Sequence, residues 1–144
     1  MNNTYKKIVS AIVVAVMIVL TLVPSFAASH ETVHLMANQY WTKASGENHD
    51  PNYKNCGAMC HSVAPYSGAD VFHTIQSRVT NTYAETISVK NYYLLNEGAT
   101  NYTKIEIKDG YLNTKVVYFQ FRGNSNSQAI AVVSYTGTVK TAAS

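Results

Sequence analysis

From Asp70 onward, apolar and polar residues alternate with a period of two, the signature of half-buried strands. Val71, His73, Ile75 and Val79 fall opposite Phe72, Thr74, Gln76, Arg78 and Thr80. After a turn at Asn81, Ile87, Val89 and Tyr93 alternate with Ser88 and Lys90, and the run continues to Leu95. Asn96-Glu97-Gly98 breaks it. A third segment, Tyr102 to Lys108, sets Ile105 and Ile107 against Lys104 and Glu106. A fourth ends at Arg122, with Val117, Phe119 and Phe121 on the inward face and Tyr118, Gln120 and Arg122 on the other. The last runs from Ala129 to Val139. It is apolar on both faces near its middle, as expected of a strand inside a sheet.

Upstream, His30 to Trp41 alternates weakly through Val33, Leu35 and Ala37, and counts as one more candidate strand. Between it and Asp70 the pattern lapses. Gly46, Pro51, Gly57, Pro65 and Gly68, with Asn48, Asp50, Asn52 and Asn55, predict a long loop over 42–70. Asp109-Gly110 predicts a two-residue hairpin, since both residues tolerate positive φ. No segment shows a helical period with caps. The expectation is an all-β antiparallel β-sandwich or small barrel of about six to seven strands.

The N-terminus has a different pattern. Lys6 and Lys7 precede an apolar run from Ile8 to Val23, interrupted by Ser10 and Thr21. Pro24 and the small residues of Ser25-Phe26-Ala27 follow. This is the layout of a secretory signal peptide over 1–27, and the run is short for a membrane span of about 20 residues. Cleavage after Ala27 leaves 28–144 as a single secreted β-domain with no stable membrane anchor, long enough to bury a core.

Composition agrees with an extracellular setting. Without Lys6 and Lys7, nine of the eleven basic side chains remain against eight acidic ones, a formal charge of +1. The basic residues are scattered, so neither a nucleic-acid footprint nor a polybasic membrane patch is present. Ten of the eleven tyrosines lie beyond residue 27, a composition suited to pleated surfaces.

The C-terminal third, through Tyr118-Phe119-Gln120-Phe121-Arg122, the polar turn Gly123-Asn124-Ser125-Asn126 and Gly137, resembles small secreted, uncharacterised β-proteins of Gram-positive bacteria. The resemblance implies a secreted β-domain without a catalytic motif and implies no site residues.

The candidate chemistry is concentrated in Cys56-Gly57-Ala58-Met59-Cys60-His61, which holds the only two cysteines. In an exported chain the leading expectation is a Cys56–Cys60 disulfide that pins a turn. A zinc site made by Cys56 and Cys60 with His49 and His73 is the alternative, although neighbouring Cys60 and His61 would rarely share one ion. Covalent haem attachment needs two residues between the cysteines, and here there are three. A nucleophilic thiol needs a histidine partner and something to orient it, and no such constellation is visible. No cofactor is therefore expected.

Tyr40 and Trp41 are the candidate ligand-binding residues, because aromatic side chains combine apolar area with a polar tip. These features favour a secreted, non-enzymatic binding protein acting on a cell-wall glycan or a protein partner. A secreted antimicrobial or toxin-like factor is the alternative, with a metal-binding or thiol enzyme below it.

Overall fold

A computed structural model describes residues 28–37, 40–82 and 84–140. The signal peptide expected over 1–27 lies outside the described residues. Among those described, no helix is long and apolar enough to cross a membrane.

Eight strands build two four-stranded antiparallel sheets, packed as a sandwich. They are β1 (Ser29–Leu35), β2 (Thr42–Asn48), β3 (Asn55–Pro65), β4 (Thr74–Thr80), β5 (Tyr93–Asn96), β6 (Thr103–Glu106), β7 (Val116–Gly123) and β8 (Ala129–Thr136). One sheet has the order β1-β8-β3-β6 and the other β2-β7-β4-β5. The expected all-β sandwich is what forms. β8, apolar on both faces, occupies an interior position in its sheet.

Most positions assigned to an apolar face from alternation are core; Val71 and Val89 are not, being 67% and 50% exposed. Ile75, Val79, Leu95, Ile105, Val117, Phe119 and Phe121 are fully buried, together with Leu35 and Val133. The two sheets meet through aromatic rings: Phe119 of β7 lies 4.9 Å from Tyr135 of β8, centroid to centroid, and Phe121 lies 6.0 Å from it. Burying each such side chain contributes about 1.5–3 kcal/mol, and edge-on or tilted ring pairs add about 0.5–1.5 kcal/mol. The Tyr135 hydroxyl reaches the edge of the sandwich, where it donates to Glu31 and accepts from Ser45 N at 3.2 Å.

Two expectations fail for physical reasons. The loop expected over 42–70 is instead β2 and β3. Of its turn formers, Pro51-Asn52 makes a tight turn, closed by Tyr53 N donating to Asp50 O at 3.0 Å. Gly68 makes another at φ +77°. Gly57, however, lies inside β3. A Cβ there would come within 2.5 Å of Val139 Cγ2 and 3.0 Å of Tyr102 Cβ, so the glycine serves close packing over an extended strand. The hairpin expected at Asp109-Gly110 is also absent. Those residues open a 3-10 turn, Asp109–Tyr111, that carries the chain from β6 in one sheet to β7 in the other. Among consecutive strands only β4 and β5 are paired.

The C-terminal segment closes one end of the sandwich. Gly137 O accepts from His49 Nδ1 at 2.7 Å, Thr138 Oγ1 accepts from Asp50 N at 2.9 Å, and Val139 N donates to Asn55 O at 2.7 Å. At Gly137 a Cβ would stand 2.0 Å from Asn48 O, a backbone atom that cannot swing away. Gly137→Ala is therefore expected to destabilise the fold by about 3 kcal/mol, at the upper end of overpacking costs. A lowered urea midpoint at constant m-value checks this; an unchanged midpoint refutes the clash.

Candidate functional site on the outer face of the β2-β7-β4-β5 sheet

Because β7 turns Val117, Phe119 and Phe121 inward, Tyr118, Gln120 and Arg122 must face out. The same alternation in β4 puts Gln76, Arg78 and Thr80 on that face. Register then pairs Gln76 with Arg122, Arg78 with Gln120 and Thr80 with Tyr118, and β2 adds Lys43 beside Gln120. The pairs are bonded. Arg122 Nε donates to Gln76 Oε1 at 2.5 Å and Arg78 Nε donates to Gln120 Oε1 at 2.7 Å. Gln76 Nε2 donates onward to Asn124 Oδ1 at 3.0 Å. Both glutamines are buried beneath the long side chains.

Trp41, one residue before β2, lies over this ladder. The Arg78 and Arg122 guanidinium carbons stand 4.3 and 4.4 Å from the indole centroid. Arg122 also lies 5.7 Å from the Tyr92 ring, and Lys43 Nζ sits 3.9 Å above Tyr118. Each cation–π contact contributes about 0.5–1 kcal/mol at an exposed site.

The charge balance is one-sided. The outward positions of these strands carry Lys43, Arg78 and Arg122 and no carboxylate. Lys54 forms an ion pair with Asp109, elsewhere on the molecule. Burial and then the neighbouring Arg122 charge hold the Arg78 guanidinium below its ordinary pKa. Two guanidiniums are thus fixed by their Nε atoms to neutral amides, with their charges uncompensated.

Of the two aromatic candidates, Trp41 belongs to this face, and Tyr40 beside it is 67% exposed. The cysteine expectation is corrected. Cys56 and Cys60 are free thiols, both fully buried on the core side of β3. Four residues along an extended strand span about 13 Å, while a disulfide needs Cα atoms within about 7 Å. Cys56 Sγ donates to Gly137 O at 3.2 Å and Cys60 Sγ to Ser62 O at 3.6 Å.

The alternative metal set is not assembled either. His49 and Cys56 are neighbours, with Nδ1 3.9 Å from Sγ, but Cys60 is four residues farther along the extended strand. His73 Nδ1 is instead 2.5 Å from Glu97 Oε2. Among the described residues no group of three or more His, Cys, Asp and Glu is placed to hold a metal. Burial pushes the Cys60 thiol up to about 11, assisted by the Glu97 charge, and pushes Cys56 higher still. A reactive thiolate is therefore disfavoured at both.

In sequence order, Arg78 and Arg122 stand 44 positions apart and Trp41 lies 37 before the first. Their outward placement followed from alternation, but only the β4/β7 register brings them together.

No family model matches the chain, and no curated protein matches it at a significant level. Among solved structures it is similar to the Drosophila NLP core, described as providing insight into pentamer formation and histone binding. That match is 12% identical, covers 79% of this chain and 100% of that one, and has a TM-score of 0.31. A likeness at this level carries no functional argument.

Two outcomes are expected. Ellman's reagent should find almost no reactive thiol in the native protein at pH 8 and both thiols after denaturation; a reagent-resistant pair in denaturant would mean a disulfide. The second concerns Glu97, whose carboxylate accepts from Val63 N at 2.7 Å as well as from His73. The His73 bond, then the Val63 amide, hold its pKa below the ordinary value. A carboxyl more acidic when folded adds stability above its unfolded pKa and loses it as pH falls through the folded one. Wild-type stability in urea should therefore drop as pH falls below about 4.3. The drop should be shallower in Glu97→Gln, and equal slopes would count against this role.

Proposed function

We propose that the protein is an exported, non-enzymatic binding module that holds an acidic glycan on the outer face of the β2-β7-β4-β5 sheet. The observation that carries this reading is the Trp41–Arg78–Arg122 cluster: two fixed guanidiniums against one indole, without a carboxylate. Arginine forks match the geometry of carboxylate and phosphate groups, and each charge-assisted bond is worth about 1.5–3 kcal/mol. Aromatic faces supply stacking area for sugar rings alongside them. Export rests on the N-terminal basic, apolar and small-residue pattern. A bound anion would also relieve the mutual repulsion of the two arginines, which gives the face a physical reason to prefer acidic over neutral polymers.

The mature protein should be retarded in affinity electrophoresis by polygalacturonate or by a teichoic-acid-bearing wall fraction, and not by a neutral β-glucan. Arg78→Gln with Arg122→Gln should weaken binding by roughly a hundredfold, and Trp41→Ala by roughly tenfold. Added salt should weaken the wild type more than the double variant. Equal retention by neutral and acidic polymers, or wild-type retention of the double variant, overturns the proposal. So does loss of wall binding after the walls are treated with protease, which assigns the face to a protein partner.

A further inference from the structure

The opposite sheet carries a second cluster, independent of the glycan reading. In β8 the inward residues are Ala131, Val133 and Tyr135, so Ser134 faces outward between β1 and β3. His30 of β1 is its direct cross-strand partner on one side and Met59 of β3 on the other. Ala58 and Cys60 point into the core, which places Met59 on the outer face. The β3/β8 register then shifts between Cys60 and Ser62, making His61 the extra residue of a bulge. Bulges re-aim side chains.

Here the bulge brings His61 to the same point as His30. His61 Nε2 is 2.8 Å and His30 Nδ1 2.9 Å from Ser134 Oγ. The ring centroids are 5.0 Å apart at 47°. A hydroxyl has one proton and two lone pairs, so it donates to at most one ring, and the tautomer of each imidazole sets the direction of each bond. The result is two imidazole nitrogens aimed at one position on the surface of a rigid central strand.

We propose that His30, His61 and Met59 form a copper(I) site on this face. Two imidazoles that share an ion through bonds of about 2.0–2.1 Å at a near-tetrahedral angle have centroids roughly 5 Å apart, the separation already present. To bind, the nitrogens turn from the hydroxyl to the ion, and Ser134 is left beneath it as a hydrogen-bonding neighbour. The donor set selects the metal. Imidazole serves zinc, nickel and copper alike, but a thioether favours copper(I), and the harder divalent ions would find no carboxylate or thiolate in this set. The free cysteines do not contribute: Cys60 faces the core, and so does Cys56, four residues back along β3.

The test is anaerobic titration of the full mature chain with copper(I), in competition with bicinchoninate. One ion per chain is expected. His30→Ala and His61→Ala should each weaken binding by at least the roughly tenfold that loss of an outer-shell partner costs. Met59→Leu should weaken copper(I) binding and leave zinc(II) binding by the two histidines unchanged. The Cys56→Ala, Cys60→Ala variant should keep the wild-type stoichiometry and affinity. Thermal unfolding of each metal-free variant verifies that the fold is retained. The proposal is overturned by absence of binding, by wild-type affinity in the doubly substituted histidine variant, or by loss of binding with the cysteines. Unchanged copper(I) affinity in Met59→Leu overturns the choice of ion.

Discussion

Three rings hold the sandwich together. Phe119 and Phe121 of β7 meet Tyr135 of β8, and both strands are interior members of their sheets. Each therefore passes its position on to two neighbours through hydrogen bonds, and everything on the outer faces is placed relative to this contact. The tyrosine also ties the interior to the rim, because its hydroxyl is shared between Glu31 and Ser45 at the β1/β2 edge. Burial and the bond to Glu31 push that phenol up to about 12, so it stays a donor across the physiological range.

The same two strands carry the candidate chemistry on their other sides. β7 alternates Phe119 and Phe121 with Tyr118, Gln120 and Arg122, and β8 alternates Val133 and Tyr135 with Ser134. A strand with period two presents a core and a working surface at once. Rigidity under each cluster comes from packing directly behind it, the support that precise ligand geometry requires.

Alternation in the sequence was enough to assign Ile75, Val79, Ile105, Val117, Phe119 and Phe121 to the core and to place β8 inside a sheet. It failed at Val71 and Val89, which are exposed and outside the strands, and where glycines and small residues line a strand. Gly57 looks like a turn former, yet it is extended because Tyr102 and Val139, remote in sequence, lie against it. Cys56 and Cys60 looked like a staple because the chain reads as exported and the segment around them as a loop; in a strand they are small buried hydrophobes. Trp41 was visible as a candidate, but Arg78 and Arg122 were not, since an arginine on a strand face acquires meaning only from its cross-strand neighbours. His61 was visible beside Cys60, but the bulge that turns it toward Ser134 is a property of pairing with β8.

The order of the strands has a kinetic meaning. The chain changes sheets at nearly every connection, and β4–β5 is the one ladder between consecutive strands. Every other ladder must close a long loop before its bonds contribute, which slows folding and ties all parts into one transition. Neither sheet is a contiguous piece of chain, and the β1-β8-β3-β6 sheet is the later to be completed. A ribosome or translocation channel that releases such a chain from its N-terminus leaves β1 without its ladder partner, and β3 paired only with β6, until β8 has emerged. The first strand of the chain thus waits for the last.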